Sequence, residues 1–176
     1  MPVLSPEFVG SHINRIDVNA AQLFYGTDIF ELWHTDAFTD YYYANCDKNI
    51  DFYSGIKNGL LEFKRLGFDL GVATNGATKF AEKILNTLGA DNLFSMILGA
   101  DSVQNPKPHP DMLHKIIDFV KKDKLVLVGD SVKDQQAAWQ AGGKFAFAAY
   151  GFGPYDVASD LRLDSSEDIG KIINLL

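Results

Sequence analysis

The chain has 176 residues, 47% of them hydrophobic and 22% charged, and a formal net charge of -7. That balance describes a globular protein of one domain, or one domain with a small appendage, and excludes a disordered chain. No basic stripe offers a footprint for nucleic acid, and the single Cys46 excludes an intrachain disulfide and a cysteine-rich zinc site, leaving it as a small apolar filler. No segment is long and apolar enough to span a membrane, and the first residues lack a signal-peptide pattern, so the cytoplasm is the expected location.

Residues 7–50 are aromatic-rich, with apolar residues three and four apart in Ala20-Ala21-Gln22-Leu23-Phe24 and Phe30-Glu31-Leu32-Trp33, a pattern that 38–43 continues. They predict a small helical unit over 1–52, followed by a larger unit over 53–176. Phe24, Tyr25, Phe30, Trp33 and Tyr41 to Tyr43 form an aromatic stripe that fits packing core better than a substrate pocket. Beyond it helix and strand alternate. Helices are expected over 59–66, 78–88, 111–120, 135–140 and 166–176, and strands over 70–74, 96–99, 125–128 and 144–149. Repeated β-α units imply an α/β fold with a Rossmann-like, doubly wound parallel sheet and right-handed crossovers.

Three chemistry-bearing segments follow successive strands, at the sheet edge where open α/β folds place their sites. Thr74-Asn75-Gly76 combines a hydroxyl, an amide and backbone N–H groups at a helix start, which makes either a phosphate cradle or an N-cap with a turn glycine. In Asn105-Pro106-Lys107-Pro108-His109-Pro110-Asp111 the prolines bar a helix and hold the Lys107 ammonium on a loop, which makes it either a surface lysine or a charge-neutralising group; His109 lines the site or, more commonly for such a histidine, serves a turn or cap. The aliphatic run 125–128 then leads into Gly129-Asp130-Ser131-Val132-Lys133-Asp134. Two carboxylates four residues apart fit a divalent cation such as Mg²⁺ or, alternatively, the cap of the next helix.

Taken together, Thr74 after a strand, Lys107 in a proline-rich loop and Gly129-Asp130-x-x-x-Asp134 after the next strand resemble the haloacid dehalogenase-like hydrolase superfamily, in its phosphoglycolate-phosphatase-like branch. Val72-Ala73-Thr74-Asn75-Gly76 is similar to the second motif of that family, Lys107-Pro108-His109-Pro110 to the third, and 129–134 to the fourth; Tyr150-Gly151-Phe152-Gly153 is similar to a later segment of the branch. The resemblance implies a helical cap over 1–52, a Mg²⁺ cofactor and hydrolysis of small phosphorylated metabolites through an aspartyl-phosphate. It gives Thr74, with Asn75 and Gly76, the phosphoryl oxygens. Lys107 holds nucleophile and phosphate charges together, Asp130 ligates Mg²⁺, and Asp134 supports the ion through water or Lys107.

The first motif of the family, an apolar strand followed by Asp-x-Asp-Gly-Thr, is absent from the 176 residues. Asp17, Asp28 and Asp36 lie in no buried-strand pattern, and Val3-Leu4 is flanked by prolines and too short. The chain is therefore expected to begin at the cap, to lack the central strand between 70–74 and 125–128, and to turn over phosphate esters poorly as written. The sheet is expected either to close by pairing those two strands or to borrow a strand from a neighbour, the latter implying a homodimer. Two other functions stay open: a non-catalytic binder of anion and metal, and a haloacid dehalogenase, which the Asp130 and Asp134 pair argues against.

Overall fold

A computed structural model of the protein describes residues 32–153 and 156–176, with side chains described from 39 onward. Asp17, Asp28, the Val3-Leu4 pair and the aromatics Phe24, Tyr25 and Phe30 lie outside the described residues. The chain divides into two compact units, 1–46 and 47–176. Described within the first is helix α1 (Leu32–Asn45). Tyr41, Tyr42 and Tyr43 on it are exposed, Tyr41 by 73%, so these three do not form the core that the aromatic stripe predicts. They fall consecutively, and a helix turns consecutive residues through about 100° each, which spreads them around the surface rather than along one face. Cys46 is partly buried.

The second unit holds α2 (Ile56–Arg65), β1 (Gly71–Ala73), α3 (Thr78–Thr87), β2 (Met96–Leu98), α4 (Asp111–Val120), β3 (Val126–Gly129), α5 (Val132–Gln140), β4 (Lys144–Ala148), β5 (Leu161–Leu163) and a terminal 3₁₀ helix (Ser166–Leu175). All the strand pairings are parallel. β4 lies between β3 and β5 and is buried from Phe145 to Ala148. Its large and small residues alternate by face: Phe145 and Phe147 pack with Ala138 of α5, while Ala146 joins Phe63 of α2 and Ile169 and Ile172 of the terminal helix. Strand β5 was not expected, because three residues containing Arg162 carry too little periodicity to stand out from a loop. The last helix is 3₁₀ in type, and α5 begins three residues earlier than its apolar pattern does.

The sheet does not close. Among the described residues β1 pairs only with β2, and β3 with β4, giving a two-stranded and a three-stranded sheet. Of the two alternatives expected, direct pairing of β1 with β3 does not occur among the described residues. Thr74 N–H donates to Leu98 O and Leu70 O accepts from Ser95 N–H, so residues 70, 72 and 74 turn their backbone groups to β2 and Gly71 and Ala73 turn theirs away. Likewise Lys144 N–H donates to Leu125 O, which leaves Val126 and Val128 directed toward β1. Between the two edges lies a cavity of about 1100 Å³, lined from both strands. Val126 and Val128 are held by α2 and the terminal helix, and the position of Gly71 is filled from the other side by Ile116 of α4.

Candidate active site

The site lies where β1 and β3 end. Lys107 Nζ donates to Ala73 O at 2.6 Å and to Asp134 Oδ1 at 2.6 Å, so one ammonium ties the end of β1 to the first turn of α5. The two side chains are 10% and 9% exposed, which makes this a nearly buried ion pair. A lysine carries three N–H donors, and among the described residues two of them are used here. Asp134 Oδ2 is occupied as well, accepting from Ser131 Oγ at 2.6 Å and Ser131 N–H at 3.1 Å, the reciprocal half of a capping box. Gly129 permits this approach, since a Cβ there would sit 2.5 Å from Asp134 Cβ. The two readings of the carboxylate pair therefore divide: Asp134 caps the helix and pairs with Lys107, and Asp130 does neither.

Asp130 Oδ2 accepts from Phe152 N–H at 2.7 Å, and its other oxygen has no protein partner among the described residues. The loop after β4 folds directly onto it, so closely that a Cβ at Gly153 would fall 1.4 Å from Asp130 O. The signal of this loop in the sequence is Gly151-Phe152-Gly153, a Gly-x-Gly after a buried strand that marks a close backbone approach. The signal of Ser131 is a Ser followed three residues later by an acid.

Thr74 is not an N-cap. α3 starts at Ala77 without a side-chain cap, and its first N–H, that of Thr78, donates instead to Asp101 Oδ1 at 2.8 Å, as does the Thr78 hydroxyl at 2.7 Å. These two bonds, the hydroxyl foremost, hold the Asp101 carboxyl below its ordinary range. Thr74 Oγ1 accepts from Gly76 N–H at 3.1 Å, closing a tight turn whose hydroxyl stays at the strand end. Asn75 donates to Lys107 O at 2.7 Å, so its amide clamps the lysine loop rather than standing free. Gln140 of α5 holds the same loop through Pro108 O at 3.1 Å. His109 is exposed, with its N–H in a turn to Pro106 O. Tyr150, on the cavity wall, has its phenol pushed above the ordinary range by burial and by Tyr53.

No group of three His, Cys, Asp or Glu that could hold a metal occurs among the described residues. The donor chemistry still fits Mg²⁺, which takes one or two carboxylates and completes its shell with water and phosphate oxygens. Asp130, with one oxygen unpartnered among the described residues, is the carboxylate that could hold it. Asp134 has both oxygens engaged, by Lys107 and Ser131.

Residues 6–148 match the family described as haloacid dehalogenase-like hydrolase. The chain belongs to the haloacid dehalogenase-like hydrolase family. Within it, the chain is 33% identical over 129 residues to a phosphoglycolate phosphatase from Nitrosococcus oceani, covering 72% of this chain and 56% of that protein. To the phosphoglycolate phosphatase of Vibrio cholerae it is 30% identical over 142 residues, covering 79% and 63%. Among solved structures it is similar to a predicted phosphoglycolate phosphatase from Haemophilus somnus, with a TM-score of 0.76, 30% identity, and 87% and 72% of the two chains covered. CbbY from Rhodobacter sphaeroides, solved in complex with phosphate, has a TM-score of 0.70 at 25% identity over 77% and 64%. The chain spans about half to three-fifths of the length of the first curated relatives. No helix among the described residues is long and apolar enough to cross a membrane.

Proposed function

We propose that this chain carries the phosphate-holding half of a Mg²⁺-dependent phosphatase for small phosphate monoesters of the phosphoglycolate class, and that alone it turns over poorly. The observation that carries the reading is Lys107, fixed by Ala73 O and Asp134, on the wall of the same cavity as Asp130, which has one oxygen unpartnered among the described residues. Phosphoryl transfer asks for charge neutralisation and positioning more than for elaborate acid-base chemistry. Lys107 supplies a positive charge, the 74–76 turn supplies a hydroxyl and backbone donors, and Asp130 would hold a Mg²⁺ whose charge neutralises the transferring phosphoryl oxygens. The nucleophilic carboxylate that would form the aspartyl-phosphate is supplied by none of these residues.

The test compares the 176-residue chain with a fusion that places an apolar strand and Asp-x-Asp-Gly-Thr ahead of it. Phosphate release from phosphoglycolate and other monoesters is followed with and without Mg²⁺. The chain alone is expected to stay near background, and the fusion to gain Mg²⁺-dependent turnover that Lys107→Met abolishes. Robust Mg²⁺-dependent turnover by the unfused chain would refute the impairment. A folded fusion inactive on every monoester would refute the phosphatase reading.

A further inference from the structure

The loop after β4 presses on Asp130 with backbone alone. A Cβ at Gly151 would fall 2.5 Å from Asp130 Cβ, as one at Gly153 would meet Asp130 O, so both positions need glycine for the approach. Phe152, between them, donates its N–H to Asp130 Oδ2 at 2.7 Å. Its ring is therefore the one side chain that residues 151–153 carry, tethered through its own backbone to the carboxylate that could hold a metal, and it is 66% exposed. Tyr150, two residues earlier, meets Tyr53 edge to face, with ring centroids 5.4 Å apart and planes at 62°, and Tyr53 is itself 52% exposed. Phe152, Tyr150 and Tyr53 line the same cavity as Lys107 and Asp130. One exposed aromatic is ordinary on a protein surface. Three on the wall that also carries a fixed ammonium and a carboxylate have the composition of a ligand site, where a few polar groups orient the ligand and rings cover the rest of it.

We propose that Phe152, with Tyr53 and Tyr150, is a specificity-determining surface for the organic part of a phosphate ester, and that it takes a flat, uncharged aryl group. The inference rests on the phosphate-holding reading of Lys107 and Asp130, and it extends the ligands beyond the small monoesters given there. Charge complementarity fixes the orientation, since Lys107 supplies the cation for the phosphate end and the three rings supply none for the other. An aryl group gains more from such a wall than an alkyl group does, because rings in edge-to-face or offset contact gain about 0.5–1.5 kcal/mol beyond the area they bury.

The probes are benzylphosphonate and ethylphosphonate, in which carbon stands for the ester oxygen, so that binding is read and turnover is not. Each is titrated into the ¹⁵N-labelled 176-residue chain with Mg²⁺, at a pH that leaves both as dianions, and affinities come from amide shifts. The benzyl compound should bind roughly fivefold more tightly or better, with ring-current shifts at the Gly151 and Phe152 amides that the ethyl compound does not give. Phe152→Leu removes the ring, keeps an apolar side chain and, at so exposed a position, should fold. The benzyl-to-ethyl ratio should fall to about twofold or less in it, and part of the way in Tyr53→Leu. Taking the ratio within each variant cancels any change at Asp130 itself, which both ligands would feel alike. Lys107→Met should weaken both ligands. Ethylphosphonate binding with no benzyl preference, or a preference that Phe152→Leu and Tyr53→Leu both retain, would overturn this proposal and leave the phosphate-holding reading standing. Benzylphosphonate binding unchanged by Lys107→Met would overturn it too, by showing a ring held without its phosphate. Failure of both phosphonates to bind would overturn the phosphate-holding reading, and this inference with it.

Discussion

Replacing Lys107 by methionine removes the ammonium and keeps the length of the side chain. In the native protein the ammonium contacts Asp134 Oδ1 and Ala73 O, each at 2.6 Å, and the pair is only 10% and 9% exposed. Breaking a buried pair by removing one partner costs about 3–5 kcal/mol, because the remaining charge is left desolvated. Asp134 keeps two donors from Ser131, which lowers that figure, while Ala73 O loses its partner, which adds about 1 kcal/mol. The net expectation is a loss of about 3 kcal/mol, or roughly 9 °C in melting temperature for a chain of this size. Urea denaturation of wild type, Lys107→Met, Asp134→Asn and the double variant measures it. The double variant should be no less stable than Lys107→Met, since removing the carboxylate charge also removes the orphan. A Lys107→Met protein within about 0.5 kcal/mol of wild type would refute the claim that this pair is structurally coupled.

Gly153→Ala should push the 151–153 loop off Asp130, because its Cβ would meet Asp130 O; the Phe152 amide signal in NMR should lose its hydrogen-bonded shift, and Mn²⁺ affinity should fall. Asn75→Ala frees the lysine loop from one bond and should cost about 1 kcal/mol in urea and weaken vanadate binding several-fold, without changing far-UV circular dichroism. Asp160 is held below the ordinary carboxyl range chiefly by Phe145 N–H, against some desolvation and with help from Trp139 and Lys144. Its folded value lies below its unfolded one, so its contribution is present above about pH 4 and is lost as pH falls through the folded value. The stability gap between wild type and Asp160→Asn should therefore be flat near neutrality and close below about pH 4 in pH-dependent urea titrations.

Much of the second unit is legible in the chain because its signals are local. The aliphatic run of β3, the amphipathic stretches of α2 and α4, and the prolines around Lys107 each dictate backbone or burial within a few residues. The weak elements escaped for the same reason. β5 has three residues, and its place in the sheet comes from pairing with β4. The aromatic stripe that includes 41–43 predicts core, yet solvent meets all three, because aromatic content says nothing of which neighbours reach a helix.

The sequence by itself determined that Thr74, Lys107, Asp130 and Asp134 each come after a strand, since strand ends and special loops are written in adjacent residues. It also determined that no Asp-x-Asp-Gly-Thr accompanies them. Only the tertiary structure decided how they divide the work: Asp134 bound to Lys107 and Ser131, Asp130 left with an open oxygen, Asn75 turned to the lysine loop. It alone decided that β1 and β3 stand apart instead of pairing. The physical reason is that hydrogen bonds across 27 to 34 residues of chain, and the helices packed on either face, set distances that no local pattern encodes.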